Sequence, residues 1–181
     1  MISNYILIAE GGCVTLRILG IDPGYAIVGY GIVDTAASRF SVVDYGVVTT
    51  PARIPIEDRL MMIYNQLSEL VKKYKPEAMA IEELFFNSNH TTAIPVAEAR
   101  GVILLVAKQH GLEVFEYTPL QVKQAVVGYG RAEKKQVIMM TTTLLGLKAP
   151  PKPDDAADAL AIAICHGNTG ASALKGYFNK R

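Results

Sequence analysis

The residues of this chain whose types and spacing could do chemistry are carboxylates that close apolar runs. Arg17-Ile18-Leu19-Gly20-Ile21-Asp22-Pro23-Gly24 is a run of strand length that ends in an acid and is cut off by Pro-Gly. Pro23 has no N–H for a central ladder and Gly24 suits a tight turn. Asp22 is therefore expected at the C-terminal edge of a strand, where open α/β sheets bind ligands. Glu77 to Glu83 is a second such run. Successive strand residues point to opposite faces, so at most one of Glu82 and Glu83 shares a site with Asp22. Asp155 and Asp158, three apart on a predicted helix, project from one face with Cβ atoms roughly 5 to 6 Å apart. Each acid also has a plainer account: Asp22 as a turn opener, the glutamates as solvated strand ends, Asp154 and Asp155 as cap and first-turn charge. Asp158 is harder to dismiss in that way. Four carboxylates meeting from three distant segments would repel one another and resist ionisation unless a cation joined them. Oxygen donors favour Mg²⁺ or Mn²⁺ over zinc. Two such ions about 3.5 to 4 Å apart can activate a water and stabilise the leaving oxygen in phosphodiester hydrolysis.

The elements that must position these acids follow from the hydrophobic pattern. After the first strand, residues 27–33 and 40–48 are β-branched and aromatic runs separated by turn residues, which predicts an antiparallel meander. The glycines within it mark bulges or the close approach of another backbone. From Ile56 to Tyr74 the apolar positions recur at three or four, a helical period, and Pro76 ends that helix. A short buried strand follows to Glu83, then a polar loop carrying Phe85, Phe86 and Asn89. A helix is predicted over about 91–110, a strand over 113–117, a helix from the Thr118-Pro119 cap to Gly128, and another from near Arg131 to Leu145. Asp154 can cap a last helix running from Asp155 to about His166. Three meandering strands followed by alternating helix and strand imply an α/β fold with a five-stranded mixed sheet flanked by helices.

With 181 residues, half of them hydrophobic, the chain can bury one full core but has no room for two large lobes. Residues 14–170 are expected to form that single domain. Residues 1–13 read as a non-native or disordered extension, with Val14 as a candidate start, and 171–181 as a flexible basic tail. The net charge of +1 gives no global attraction to polyanions, so any nucleic-acid reading needs a local patch. Residues 100–148 supply one, with seven Lys or Arg against three Glu. No apolar run reaches the roughly 18 residues of a membrane span, and no basic residue precedes Arg17 to make a signal peptide. Two cysteines are too few for a disulfide framework, so a cytoplasmic location is expected.

Several segments in order resemble the RuvC Holliday junction resolvases, a family of ribonuclease H-like fold. They are ILGIDPG at 18–24 with GYG at 29–31, AIEELFF at 80–86, EARG at 98–101, FEYTPLQVKQAVVGYGRAEKKQV at 115–137 and DDAADALAIAICH at 154–166. The resemblance covers roughly residues 17–166. It implies a homodimeric, Mg²⁺-dependent endonuclease that resolves four-way DNA junctions by two symmetric nicks, with RuvA–RuvB as a branch-migration partner. It also selects Glu82 over Glu83, so that Asp22, Glu82, Asp155 and Asp158 stand at the family's metal ligands. By the same resemblance Phe85 stands where an aromatic wedge stacks on junction bases, though Phe86 competes for that role. Lys123 and Lys134 match basic residues near the DNA backbone and the reacting phosphate, and Arg131 and Asn89 are further DNA-contacting candidates. Asp154 departs from the usual pattern.

Two other classes stay open on the residues alone. An actin-like ATPase or sugar kinase also starts with a strand, Asp, Gly and a returning strand, but needs two lobes. A non-catalytic binder of branched DNA would use the acids only as structural charges.

Overall fold

The computed structural model describes residues 15–36, 39–84 and 90–178. Strands β1 (Leu16–Asp22), β2 (Ile27–Ala36) and β3 (Arg39–Thr49) form the meander. Helix α1 (Ile56–Tyr74), β4 (Ala78–Glu82), α2 (His90–Gln109) and β5 (Glu113–Tyr117) follow, and then α3 (Pro119–Val127), α4 (Lys134–Leu144) and α5 (Asp154–Phe178). The sheet order is β3-β2-β1-β4-β5. β1 runs antiparallel to β2 and parallel to β4, and β4 is parallel to β5. This is the mixed five-stranded sheet that the hydrophobic pattern implies.

Strand alternation divides the core in two. Leu19, Ile21, Met79 and Ile81 pack with Ile63 and Leu67 of α1 and Ile103 of α2. Ile18 and Ala80 face the other way, toward Val122, Val137 and Leu160 of α3, α4 and α5. Asp22 and Glu82 continue the second set by the period of two, so both belong to the α5 face. Ile21 registers with Ile81. The next residues outward, Asp22 and Glu82, therefore leave neighbouring parallel strands side by side.

Helix α5 lies unusually low on that face. Ala156, Ala157, Ala159, Ala161 and Ala163 are at most 1% exposed. Beneath them a Cβ on Gly20 would overlap the Ala159 carbonyl oxygen, and one on Gly29 would overlap the Asp155 carbonyl oxygen. The strand glycines are thus the seat of a helix backbone, the second of the two roles their positions allowed.

Several boundaries differ from expectation. α4 begins at Lys134 rather than near Arg131, because Glu133 and Gln136 form a reciprocal capping box that fixes the start. Asp154 is the first residue of α5 rather than its cap, and the helix continues through 171–178, read from sequence as tail. Ala171, Ala173, Leu174 and Lys175 favour helix and no proline intervenes to stop it. α2 holds Pro95 six residues in, near enough to the N-terminus that its missing N–H removes only an early bond. Residues 1–13, Phe85, Phe86 and Asn89 lie outside the described residues.

Candidate active site

Asp22, Glu82, Asp155 and Asp158 come together at the carboxyl edge of β1 and β4, under the first turns of α5. Three causes converge. The strand period aims Asp22 and Glu82 at α5, and Gly29, which pairs with Asp22 across the β1–β2 ladder, leaves room for the Asp155 backbone beside it. Asp158 then follows one turn along the same helix face. Glu83, the rejected alternative, is exposed, and its N–H donates to the Tyr117 carbonyl at 2.9 Å.

The acids feel one another. Burial first, then the charges of Glu82, Asp158 and Asp155, push the Asp22 carboxyl up to about 7. Glu82 is raised as well, by burial and by Asp158, with Lys134 and Lys123 opposing. That Lys123, from α3, moderates Glu82 places its charge near the cluster too. Among the described residues no three His, Cys, Asp or Glu side chains are drawn into a ready-made ion cage. A cation from the chain itself reaches in instead: the Lys134 ammonium donates to Asp158 Oδ2 at 2.8 Å and stands 3.9 Å from Asp154 Oδ2. Its own pKa is raised, chiefly by the bond to Asp158. Excess negative charge on hard oxygen donors, relieved only in part by Lys134 and Lys123, suits a divalent cation such as Mg²⁺.

The basic patch is smaller than its residue count. Arg100 is spent on Glu116, at 2.5 Å across α2 and β5, and Lys134 is held by the acids. Arg131 is exposed in the turn between α3 and α4. Two groups escaped the sequence reading. Asp154 holds Lys152 with Oδ1 at 3.0 Å and turns Oδ2 toward Lys134, and only the four-residue spacing from Asp158 could have signalled it. Behind the site, the Tyr117 hydroxyl and His166 Nδ1 are 2.7 Å apart in a buried contact joining β5 to α5. A hollow of about 430 Å³ at the far end of β1, lined by Arg17, Asp34, Lys73 and Glu77, is remote from these acids. Its Arg17 is already committed to Asp34 and the Tyr74 carbonyl. Among the described residues no helix is long and apolar enough to cross a membrane.

A three-strand meander continued by parallel β4 and β5, with acids from β1, β4 and a covering helix at one sheet edge, is the plan of the ribonuclease H-like nucleases. The comparisons with known proteins narrow this. A family model described as crossover junction endodeoxyribonuclease RuvC matches residues 18–166, and the chain belongs to that family. The enzyme of this description from Ruminiclostridium cellulolyticum is 58% identical over 152 residues, which cover 84% of this chain and 92% of the relative. That from Alkaliphilus metalliredigens is 60% identical over 153 residues, covering 84% and 93%. Among solved structures, Thermus thermophilus RuvC in complex with Holliday junction substrate superposes with a TM-score of 0.83 at 37% identity, covering 87% of this chain and 96% of that one.

Proposed function

We propose that this chain is a structure-selective endonuclease that resolves four-way DNA junctions by paired symmetric nicks, in recombination and repair. In this reading Asp22, Glu82, Asp155 and Asp158 hold two Mg²⁺ ions, for which Mn²⁺ can substitute. The observation that carries it is the meeting of carboxylates from β1, β4 and α5 at one sheet edge, with Asp22 driven to about 7. When bound, the divalent ions supply a nucleophilic water at neutral pH and neutralise charge on the leaving oxygen.

The chain's own residues do the rest. Asp22 and Glu82 sit on adjacent strands, so their spacing is held by backbone pairing rather than by a loop. Lys134 places a cation at the rim, where it can meet a phosphate oxygen, and Lys123 adds a second beside Glu82. Arg131 and Asn89 contact the DNA. Phe85, three residues after Glu82 in the sequence and at the position of the family's aromatic wedge, stacks on bases at the open junction centre. Two symmetric nicks need two sites and each chain carries one, so the working unit is a homodimer. It acts in the cytoplasm with RuvA–RuvB.

A synthetic four-way junction with Mg²⁺ tests the reading on a gel. The wild-type protein gives paired nicks, whereas Asp158→Asn binds the junction without cutting it. Absence of Mg²⁺-dependent nicking would leave the non-catalytic binder as the better account, and cleavage by Asp158→Asn would remove that residue from the metal site.

A further inference from the structure

Lys134 occupies two carboxylates at once, and both belong to one helix face. Asp154 and Asp158 are one turn apart on α5, and the ammonium stands 2.8 Å from Asp158 Oδ2 and 3.9 Å from Asp154 Oδ2. Asp154 is oriented for this: Lys152 engages Oδ1 at 3.0 Å and leaves Oδ2 facing Lys134. All three side chains are partly solvated, with Lys134 56%, Asp154 43% and Asp158 29% exposed. Pairs of that kind are weak enough to exchange readily.

We propose that Asp154 is a positioning residue that keeps Lys134 at the rim of the site when a divalent ion claims Asp158. This rests on the reading of Asp158 as a metal ligand. In the metal-free protein Lys134 serves as the cluster's own counter-cation. With Asp158 engaged by a divalent ion, the Lys134 ammonium would give up that carboxylate and close the short remaining distance to Asp154 Oδ2 instead of swinging into solvent. Asp154 therefore favours the ion-bound state through Lys134, and it keeps the lysine close to where a phosphate would lie. A carboxylate placed only as first-turn charge for α5 would have no such dependence on Lys134.

The test is Mn²⁺ binding to the metal-free full-length protein, without DNA, followed by electron paramagnetic resonance of the free ion. Lys134→Met should tighten Mn²⁺ binding about two- to fivefold, because the competing ammonium is gone, and Asp154→Asn alone should weaken it by a similar factor. In the Lys134→Met background the Asp154→Asn loss should shrink to less than about twofold, the signature of action through the lysine. An equal loss in both backgrounds makes Asp154 a plain source of negative charge and overturns the proposal, as does unaltered binding by Lys134→Met. If Asp22→Asn and Asp158→Asn leave Mn²⁺ affinity unchanged, the metal reading itself fails and the positioning role falls with it.

Discussion

Gly29 stands opposite Asp22 in the β1–β2 ladder, and the space its absent side chain leaves is taken by the backbone of Asp155. One glycine thus sets how close the acid of a strand comes to the acids of a helix more than a hundred residues later in the chain.

Gly29→Ala tests that dependence directly. The added methyl overlaps the Asp155 carbonyl oxygen, so α5 must lift or tilt at the end that carries Asp155 and Asp158. Overpacking of this sort destabilises by about 1 to 3 kcal/mol. A shift of about 1 Å at the acids lowers cleavage on the order of a hundredfold. Urea unfolding and junction cleavage are the two measurements. Near-wild-type cleavage would show that the glycine does not govern the spacing of the acids.

Asp22 makes the metal-free protein sensitive to pH in a defined direction. Its carboxyl ordinarily titrates at 3.8 and is pushed to about 7 in the fold, so the folded state holds a proton that the unfolded state has released. Stability from this group is complete below about pH 4, falls as pH rises toward 7 and is flat beyond. Glu82 is raised as well and adds in the same sense. Asp22→Asn removes the Asp22 penalty. In chelator at pH 8 it should therefore be more stable than wild type by on the order of 2 kcal/mol, with the advantage vanishing near pH 4. Melts at the two pH values check this. The same variant should bind junctions and fail to cut them.

How much of this was legible beforehand depended on the range of the signal. Local signals held: the period of 56–74, the Pro-Gly stop after Asp22 and the Thr118-Pro119 cap each gave an element close to its observed bounds. The edge position of Asp22 followed from one residue type in one turn. The choice of Glu82 over Glu83 needed the resemblance, because alternation says only that the two part ways. Contacts between distant residues were out of reach. Lys134 and Asp158 lie 24 apart with no shared period, and the strand glycines could be read as bulges as well as a helix seat. The Glu133 and Gln136 capping box was in plain view and would have placed the start of α4.

Tyr117 and His166 pull the pH profile the other way. Burial holds the His166 imidazole below its ordinary range, so the folded state resists a proton that the unfolded state accepts. Its contribution is present above about pH 6.5 and is lost as pH falls. Tyr117→Phe leaves the buried ring nitrogen without its 2.7 Å partner. That change should cost about 1 to 3 kcal/mol in urea unfolding. Tyr117 pairs with Glu82 through its backbone in the β4–β5 ladder, and removing the hydroxyl leaves that pairing intact, so cleavage at 25 °C should stay within about threefold of wild type, a factor worth roughly 0.6 kcal/mol in the barrier. A much larger loss would make the pair part of the site's geometry.

Phe85 is the last residue whose role can be separated by experiment. It follows Glu82 by three residues in the sequence, and the proposed role is to stack on an exposed base at the junction centre, whereas an aromatic that only capped the core would leave junction binding unchanged. Base stacking on an aromatic is worth about 1 to 3 kcal/mol, which corresponds to roughly 5- to 150-fold in affinity. Phe85→Ala should weaken binding to a four-way junction within that range while leaving the weak binding of linear duplex unchanged, since a fully paired duplex offers no open base. Phe86→Ala is the matched comparison and should do neither. A 2-aminopurine placed at the junction centre reports the stacking itself: its fluorescence should change on binding wild type and Phe86→Ala, and stay constant with Phe85→Ala. The opposite pattern would assign the wedge to Phe86, and no change with any of the three proteins would remove base stacking from the recognition of the junction.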